Sequence, residues 1–283
     1  WFAAHVVAVP LTALYVLFSI RARQPLLAGL VLGMAYMTRP ATLALAPLFV
    51  IEALAAARPA DATGPVDPES IYGRALHLLR QVEPRRALRS LALFALPVLS
   101  IMAINAALNY LRFGDAFEVG YRFLRIRWSA RIEKWGLFNY HYLAKNLAVF
   151  LAALPWISSA APYIRISRHG LALWVTTPNY VWVLWPKRVR VLMVSLSAAA
   201  LPTALLVLCY QNSGWIQFAY RFSLDYSVLL VALLALGGRR FGVGFHAMLV
   251  FAVALNTFGA LTFDRDPRFY DRDHTQNVIF QPD

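Results

Sequence analysis

Cysteine and acidic residues are scarce in this chain. Cys209 is the one cysteine among 283 residues. No internal disulfide can staple the fold, and no thiolate-rich metal site can form. The six histidines show no His-x-x-x-His spacing and read as packed or interfacial side chains. No P-loop, Gly-x-Ser-x-Gly elbow or zinc motif occurs, so those chemistries have no support. Charged residues make up 14% of the chain, against about a quarter in soluble domains. The charge that exists is one-sided: 27 basic residues against 14 acidic ones, a net +13. The arginines stand between apolar segments, as topology-setting charges do. A nucleic-acid footprint would need a soluble basic face instead.

What is abundant is apolar. Hydrophobic residues make up 60% and the mean hydropathy is +0.55, which puts the chain among integral membrane proteins. It begins at Trp1, already apolar and without a basic n-region. That is not a signal peptide and reads as a fragment whose N-terminal part precedes Trp1.

A spanning helix needs about 20 apolar residues. Trp1 to Ile20 qualifies, followed by Arg21, Arg23 and the breaker Pro25. Residues 26–57 are too long for one span and are interrupted at Thr38-Arg39-Pro40. The residue before proline leaves helical geometry, so two half-helices are expected, about 26–38 and 41–57. They form either a hairpin or one kinked span. Residues 58–89, rich in Pro, Gly and Arg, read as a cytoplasmic loop. Leu91 to Tyr110 runs outward. Residues 111–170 form an outer loop region, in which Leu147 to Trp156 either spans or, preferably, lies on the surface. Leu171 to Trp185 is a modest span kinked at Thr176-Thr177-Pro178. Val191 to Tyr210, Leu224 to Leu236 and Val243 to Phe263 complete the set. The expected fold is all-α: a polytopic bundle of about six to eight membrane helices, including a broken pair. Residues 1–263 make one integral membrane domain and 264–283 a polar tail.

Three constellations carry possible chemistry. Arg39, between apolar half-helices, is either a bidentate phosphate clamp or a snorkelling interfacial arginine. In Arg112 to Arg122, the acids Asp115 and Glu118 either orient a substrate or pair locally to order the loop. Tyr121 and Arg122 close that cluster. In Gly214 to Asp225, Gln217, Tyr220 and Arg221 offer donors to a phosphate or sugar; the alternative is an aromatic-anchored helix start. The acids of the tail, interleaved with arginines, read as a solvated face and not as a metal site.

These residues resemble a family. Gly29-Leu-Val-Leu-Gly-Met-Ala-Tyr-Met-Thr-Arg-Pro40 is similar to a segment of bacterial polytopic glycosyltransferases of the C-type (GT-C) fold. Asn109-Tyr-Leu-Arg-Phe-Gly114 with Glu118-Val-Gly-Tyr121 resembles one of their loops. Gly214-Trp-Ile-Gln-Phe-Ala-Tyr-Arg-Phe-Ser-Leu-Asp225 resembles their Gln-Phe-Gly-Tyr-Arg signature, with Ala219 in place of the usual glycine. The resemblance implies an enzyme of the bacterial inner membrane. It would move a sugar from a polyprenyl-phosphate donor to an acceptor on the extracytoplasmic side. Arg39, Arg221 and Arg122 would hold the donor phosphate, and Tyr121, Gln217 and Tyr220 would line the sugar pocket. The catalytic acid of such enzymes sits in a loop expected to precede Trp1, so no catalytic residue is assigned. Some relatives use a divalent metal, but no residue here fixes one and no other cofactor is indicated. The partners implied are the lipid-linked sugar, membrane lipids and an acceptor of unknown identity, without nucleic acid. The alternatives are a transporter or flippase of lipid-linked sugars and a non-catalytic membrane subunit.

Overall fold

The computed structural model describes residues 2–59, 81–123, 128–187, 189–214 and 216–270. It is 71% helix and 4% strand. Among the described residues, four helices are long and apolar enough to cross a membrane: Ala3–Ala22, Pro84–Phe113, Val191–Leu208 and Val243–Thr262. Large apolar side chains stand exposed along them, among them Leu96, Leu99, Leu111, Val250 and Leu261. In water these rows would be costly, so they mark surfaces that face lipid. The chain is that of a membrane-associated protein.

It divides into two compact units, Trp1–Tyr121 with Val189–Thr203, and Arg122–Arg188 with Ala204–Asp283. The first unit holds α1 (Phe2–Ser19), α2 (Pro25–Thr38), α3 (Pro47–Ala56) and α4 (Pro84–Phe113). Helices α2, α3 and α4 each start on a proline, whose fixed φ suits the first helical turn and whose missing N–H is no loss there. α4 is 30 residues long, about 45 Å at 1.5 Å per residue. It begins well before Leu91 and takes Arg85, Arg86 and Arg89 into its first turns. Most of the expected cytoplasmic loop, residues 60–80, lies outside the described residues. At the other end, Gly114 adopts φ +73 and its N–H donates to Tyr110 O at 2.8 Å, a left-handed cap that stops the helix.

α2 packs chiefly against α1 and α4. A Cβ on Gly29 would strike the Phe94 carbonyl and lie 2.7 Å from Pro97 Cγ. One on Gly33 would lie 2.6 Å from Ile101 Cδ1. The four-residue spacing places both glycines on one helix face, where small residues let two helices approach closely.

The choice left open for residues 26–57 falls to the hairpin. α2 ends at Arg39, a 3-10 turn spans Pro40–Leu45, and α3 follows. Glu52 on α3 then accepts a hydrogen bond from Arg21 N at 2.8 Å. The chain has therefore come back to where α2 began, after travelling about 20 Å along α2. Tyr15, fully buried on α1, secures the return: its hydroxyl donates to Leu45 O at 3.0 Å and accepts from Phe49 N at 3.2 Å.

The second unit contains α5 (Ser129–Trp135), α6 (Leu143–Ala152), a two-stranded antiparallel ribbon of β1 (Trp156–Ile157) and β2 (Ile164–Arg165), α7 (Leu173–Thr176), α9 (Ser227–Leu236) and α10 (Val243–Thr262). The helix α8 (Val191–Leu208) belongs to the first unit as far as Thr203 and to the second beyond it. The ten residues of α6 reach about 15 Å, too short to cross a bilayer. The expected span Leu171 to Trp185 is not one helix. Thr177, before Pro178, leaves helical geometry at φ −142, so α7 stops after four residues and a 3-10 segment Pro178–Leu184 continues. Proline here divides the segment instead of kinking it. The expected return span from Leu224 holds only the ten-residue α9, preceded by a 3-10 turn, Arg221–Asp225.

A core of Ile166, Leu171, Ala172 and Val175 packs against Phe218, Leu255, Phe258 and Tyr270. Residues 264–270, the start of the expected polar tail, fold back onto it. Ile166 N donates to Phe269 O at 2.8 Å, and the hydroxyls of Tyr270 and Thr262 share a hydrogen bond of 2.8 Å. Residues 271–283 lie outside the described residues.

Candidate functional site

In the first unit, Arg39 occupies the break between α2 and the 3-10 turn. Its backbone is extended (φ −146, ψ 98). Its N–H still closes α2 on Ala35 O at 2.8 Å, and its carbonyl accepts from both Thr42 N at 2.9 Å and Thr42 Oγ1 at 2.8 Å. The backbone polar groups around the break are thus satisfied. Arg39 is half-buried.

The Arg112 to Arg122 cluster is organised by local bonds. Asp115 Oδ1 accepts from Phe117 N at 2.9 Å, and Glu118 Oε1 accepts from Gly120 N at 2.7 Å. Both carboxylates bond the N–H two residues ahead, as turn-forming acids do. Tyr121 and Arg122 begin a short 3-10 turn, half-buried and exposed respectively.

The Gly214 to Asp225 stretch is the most tightly built. Gln217, buried, spends its carboxamide on backbone. Nε2 donates to His169 O at 2.7 Å and to Ser213 O at 3.0 Å, while Oε1 accepts from Arg221 N at 3.1 Å. Two glycines make room for it. Gly170 (φ +80) and Gly214 (φ +96) would each bring a Cβ within 3 Å of Gln217. Further backbone bonds run from Gln217 N to Arg168 O, Leu171 N to Phe218 O and Tyr220 N to Leu171 O, so segments 168–172 and 217–220 form one layer.

Tyr220 of this layer and Asp225 are each 1% exposed and Tyr226 is 3% exposed. The hydroxyls of Tyr220 and Tyr226 are buried without a hydrogen-bond partner. Burial raises both phenols; the neighbouring Tyr226 and Asp225 add to it for Tyr220, and Asp225 with Tyr180 for Tyr226. Beside them His169, fully buried, shares a 2.6 Å hydrogen bond between Nδ1 and Ser213 Oγ. Desolvation, reinforced by the Lys145 charge, pushes its pKa from 6.5 down to about 4. The imidazole is neutral at pH 7.

Comparison with protein-family models, with curated proteins and with solved structures found no match to this chain.

Of the residues expected to act, Gln217 and Tyr220 share the second unit's layer, where Gln217 shapes the loop, and Arg221 directly follows it. Arg39 and Tyr121 belong to the first unit and Arg122 to the second. No cluster of three or more potential metal-ligating side chains occurs among the described residues. The sequence reading passed over two features. Glu52, 4% exposed, accepts from Ser195 Oγ at 2.7 Å as well as from Arg21 N. In the second unit, Arg168 and Asp264 line a cleft of about 350 Å³ with Ile216, Phe263, Pro267 and Tyr270. A lone acid within an apolar run was the available signal for the first. The second had none, because its residues are distant in sequence.

Proposed function

We propose that this chain is a polytopic glycosyltransferase of the GT-C type in the bacterial inner membrane, using a polyprenyl-phosphate-linked sugar. Arg221, with Arg122, both of the second unit, binds the donor phosphate. Gln217 holds the loop that carries Arg221. As the sugar–phosphate bond breaks, negative charge grows on the departing phosphate, and fixed guanidinium groups stabilise that charge. The proposal names no catalytic base.

The observation that carries this reading is the buried polar cluster of Tyr220, Asp225 and Tyr226. A buried carboxylate and two partnerless phenol hydroxyls lie outside the four candidate spans. Each unsatisfied buried group costs about 1–3 kcal/mol. A loop that only joined α8 to α9 gains nothing from that cost, whereas a site for a polar ligand does.

The test uses the full chain in lipid nanodiscs with undecaprenyl phosphate, the part common to such donors, and binding read by native mass spectrometry. Saturable binding, weakened tenfold or more in both Arg221→Ala and Arg122→Ala, is expected. Equal binding by wild type and both variants overturns the assignment. In proteoliposomes, accelerated transbilayer movement of a fluorescent polyprenyl phosphate would favour a transporter instead.

A further inference from the structure

We infer that the seam between the 3-10 segment Pro178–Leu184 and the start of α10 holds one anionic phospholipid, its phosphate on Arg239 and one of its chains in the apolar cleft beneath. This is separate from the glycosyltransferase proposal and uses none of its residues. It rests on α10 crossing the bilayer, and every residue of the site belongs to the second unit.

Two short turns meet at the head of this seam. Lys187 N donates to Gly237 O at 2.9 Å, and Arg239 Nε donates to Trp185 O. A Cβ on Gly237 would lie 4.0 Å from Pro186 Cα, so the two backbones run close together. The charges in Pro186-Lys-Arg188 and in Gly237-Gly-Arg-Arg240 are all basic. Val243 opens α10 three residues after Arg240, which puts the arginines at the level where a spanning helix meets lipid headgroups. Trp185, 55% exposed, stands beside them, at the depth that tryptophan favours in a membrane.

Arg239 is exposed, and its bond through Nε fixes one edge of the guanidinium. The edge formed by the two terminal nitrogens is the one that grips a phosphate in a charge-assisted, two-point hydrogen bond.

Two clefts follow the seam in order. The first, about 250 Å³, is lined by Val181, Trp182, Trp185 and Arg239. The second, about 450 Å³, is lined by Leu154, Trp174, Val175 and Pro178 and, on α10, by Ala247, Met248 and Phe251. Pro178 and Val181 are three residues apart in a 3-10 segment, where such residues lie one above the other, about 6 Å apart. The two clefts therefore share one edge. Between them, Asn179 Nδ2 donates to Phe245 O at 3.0 Å, and Trp182 meets Phe245 edge-to-face with centroids 5.4 Å apart. These contacts tie the segment to α10.

The side chains lining the second cleft are apolar but for one group, the indole N–H of Trp174, which donates to Leu151 O at 2.7 Å. Ala247, Met248 and Phe251 lie in the second and third turns of α10, about 6–12 Å along from its first residue. That is hydrocarbon depth, within reach of an acyl chain whose phosphate rests on Arg239.

A basic rim above an apolar cleft fits an amphiphile with an anionic head and a hydrocarbon tail. The ammonium of a zwitterionic headgroup would have to settle beside Arg240 and Lys187, so a lipid of net negative charge is preferred. General attraction of anionic lipids to basic residues does not depend on the cleft, whereas this site does.

The test titrates the full chain in detergent with POPG, POPC and dioleoylglycerol, which lacks the phosphate, reading stoichiometry by native mass spectrometry. One saturable POPG site, at least tenfold tighter than for POPC or dioleoylglycerol, is expected. Arg239→Gln should remove that preference. Ala247→Trp, which fills the second cleft, should weaken POPG at least tenfold with the arginine intact. Arg85→Gln, in the first turn of α4, should change nothing, and Arg221→Ala should leave the POPG site intact, so that failure here and failure of the donor site are read separately. POPG affinity unchanged in Ala247→Trp, or weakened as much by Arg85→Gln as by Arg239→Gln, overturns the proposal. So does displacement of POPG by a lower concentration of undecaprenyl phosphate, which would give the cleft to the lipid-linked donor.

Discussion

Replacing Gln217 with glutamate changes one NH2 group into one oxygen, and the structure says what that costs. The amide donates to two buried carbonyls, His169 O and Ser213 O, and accepts from Arg221 N. Glutamate keeps the acceptor and loses both donors. Each abandoned buried carbonyl costs about 1–3 kcal/mol, so about 4 kcal/mol is lost for the pair. At roughly 2–4 °C per kcal/mol for a chain of this size, the melting midpoint falls on the order of 10 °C. A carboxyl facing two carbonyls is more stable protonated, so the deficit shrinks as pH falls. Intrinsic tryptophan fluorescence during heating, in one detergent, measures it. Gly214→Ala supplies the control, because its Cβ would lie 2.6 Å from Gln217 Cδ at φ +96. In a Gln217→Ala background that clash disappears and only the backbone penalty, about 1–2 kcal/mol, remains. The double variant should therefore be less destabilised than the sum of the singles. A Gln217→Glu midpoint within about 2 °C of wild type, or strict additivity, refutes the reasoning.

Glu52→Ala removes two hydrogen bonds to a buried carboxylate, each worth about 1.5–3 kcal/mol, and should lower the melting midpoint strongly. Glu52→Gln, which can accept from Arg21 N and donate to Ser195 Oγ, should cost less than about 1 kcal/mol. Equal stability of the two variants would rule out the role given to these bonds. His169 is held neutral with its pKa at about 4 instead of 6.5. Between those values the unfolded chain takes up a proton that the folded one does not. Stability present above pH 6.5 is thus lost as pH falls towards 4, by at most about 3 kcal/mol. Melts across that window should show the slope, and His169→Gln should flatten it; the same slope in both would assign it elsewhere.

The class of the fold was legible because it follows from composition. Scarce charge and long apolar runs point to membrane helices whatever their packing. The break at Arg39-Pro40 and the boundary at Pro25 were equally readable, since proline acts locally, whereas the start of α4 at Pro84 was not, because its arginine-rich first turns read as loop. Leu171 to Trp185 misled because hydropathy sums over a window and does not register that Thr177-Pro178 ends a helix. Gln217 was read as a donor to substrate, whereas its carboxamide bonds backbone groups, one of them 48 residues away in the chain. Glu52 was overlooked for the same reason, its partners being 31 and 143 residues distant. The sequence pattern records which residues are costly, and only the fold reveals what offsets that cost.

The hydrogen bond from Arg21 N to Glu52 has a consequence for topology mapping. Because α2 and α3 leave and return at one level, residues 25–57 add no net crossing to the chain. Reporter tags inserted after Arg23 and after Ala57 would sit in the same compartment. Removing the hairpin altogether would leave the parity of every later helix unchanged.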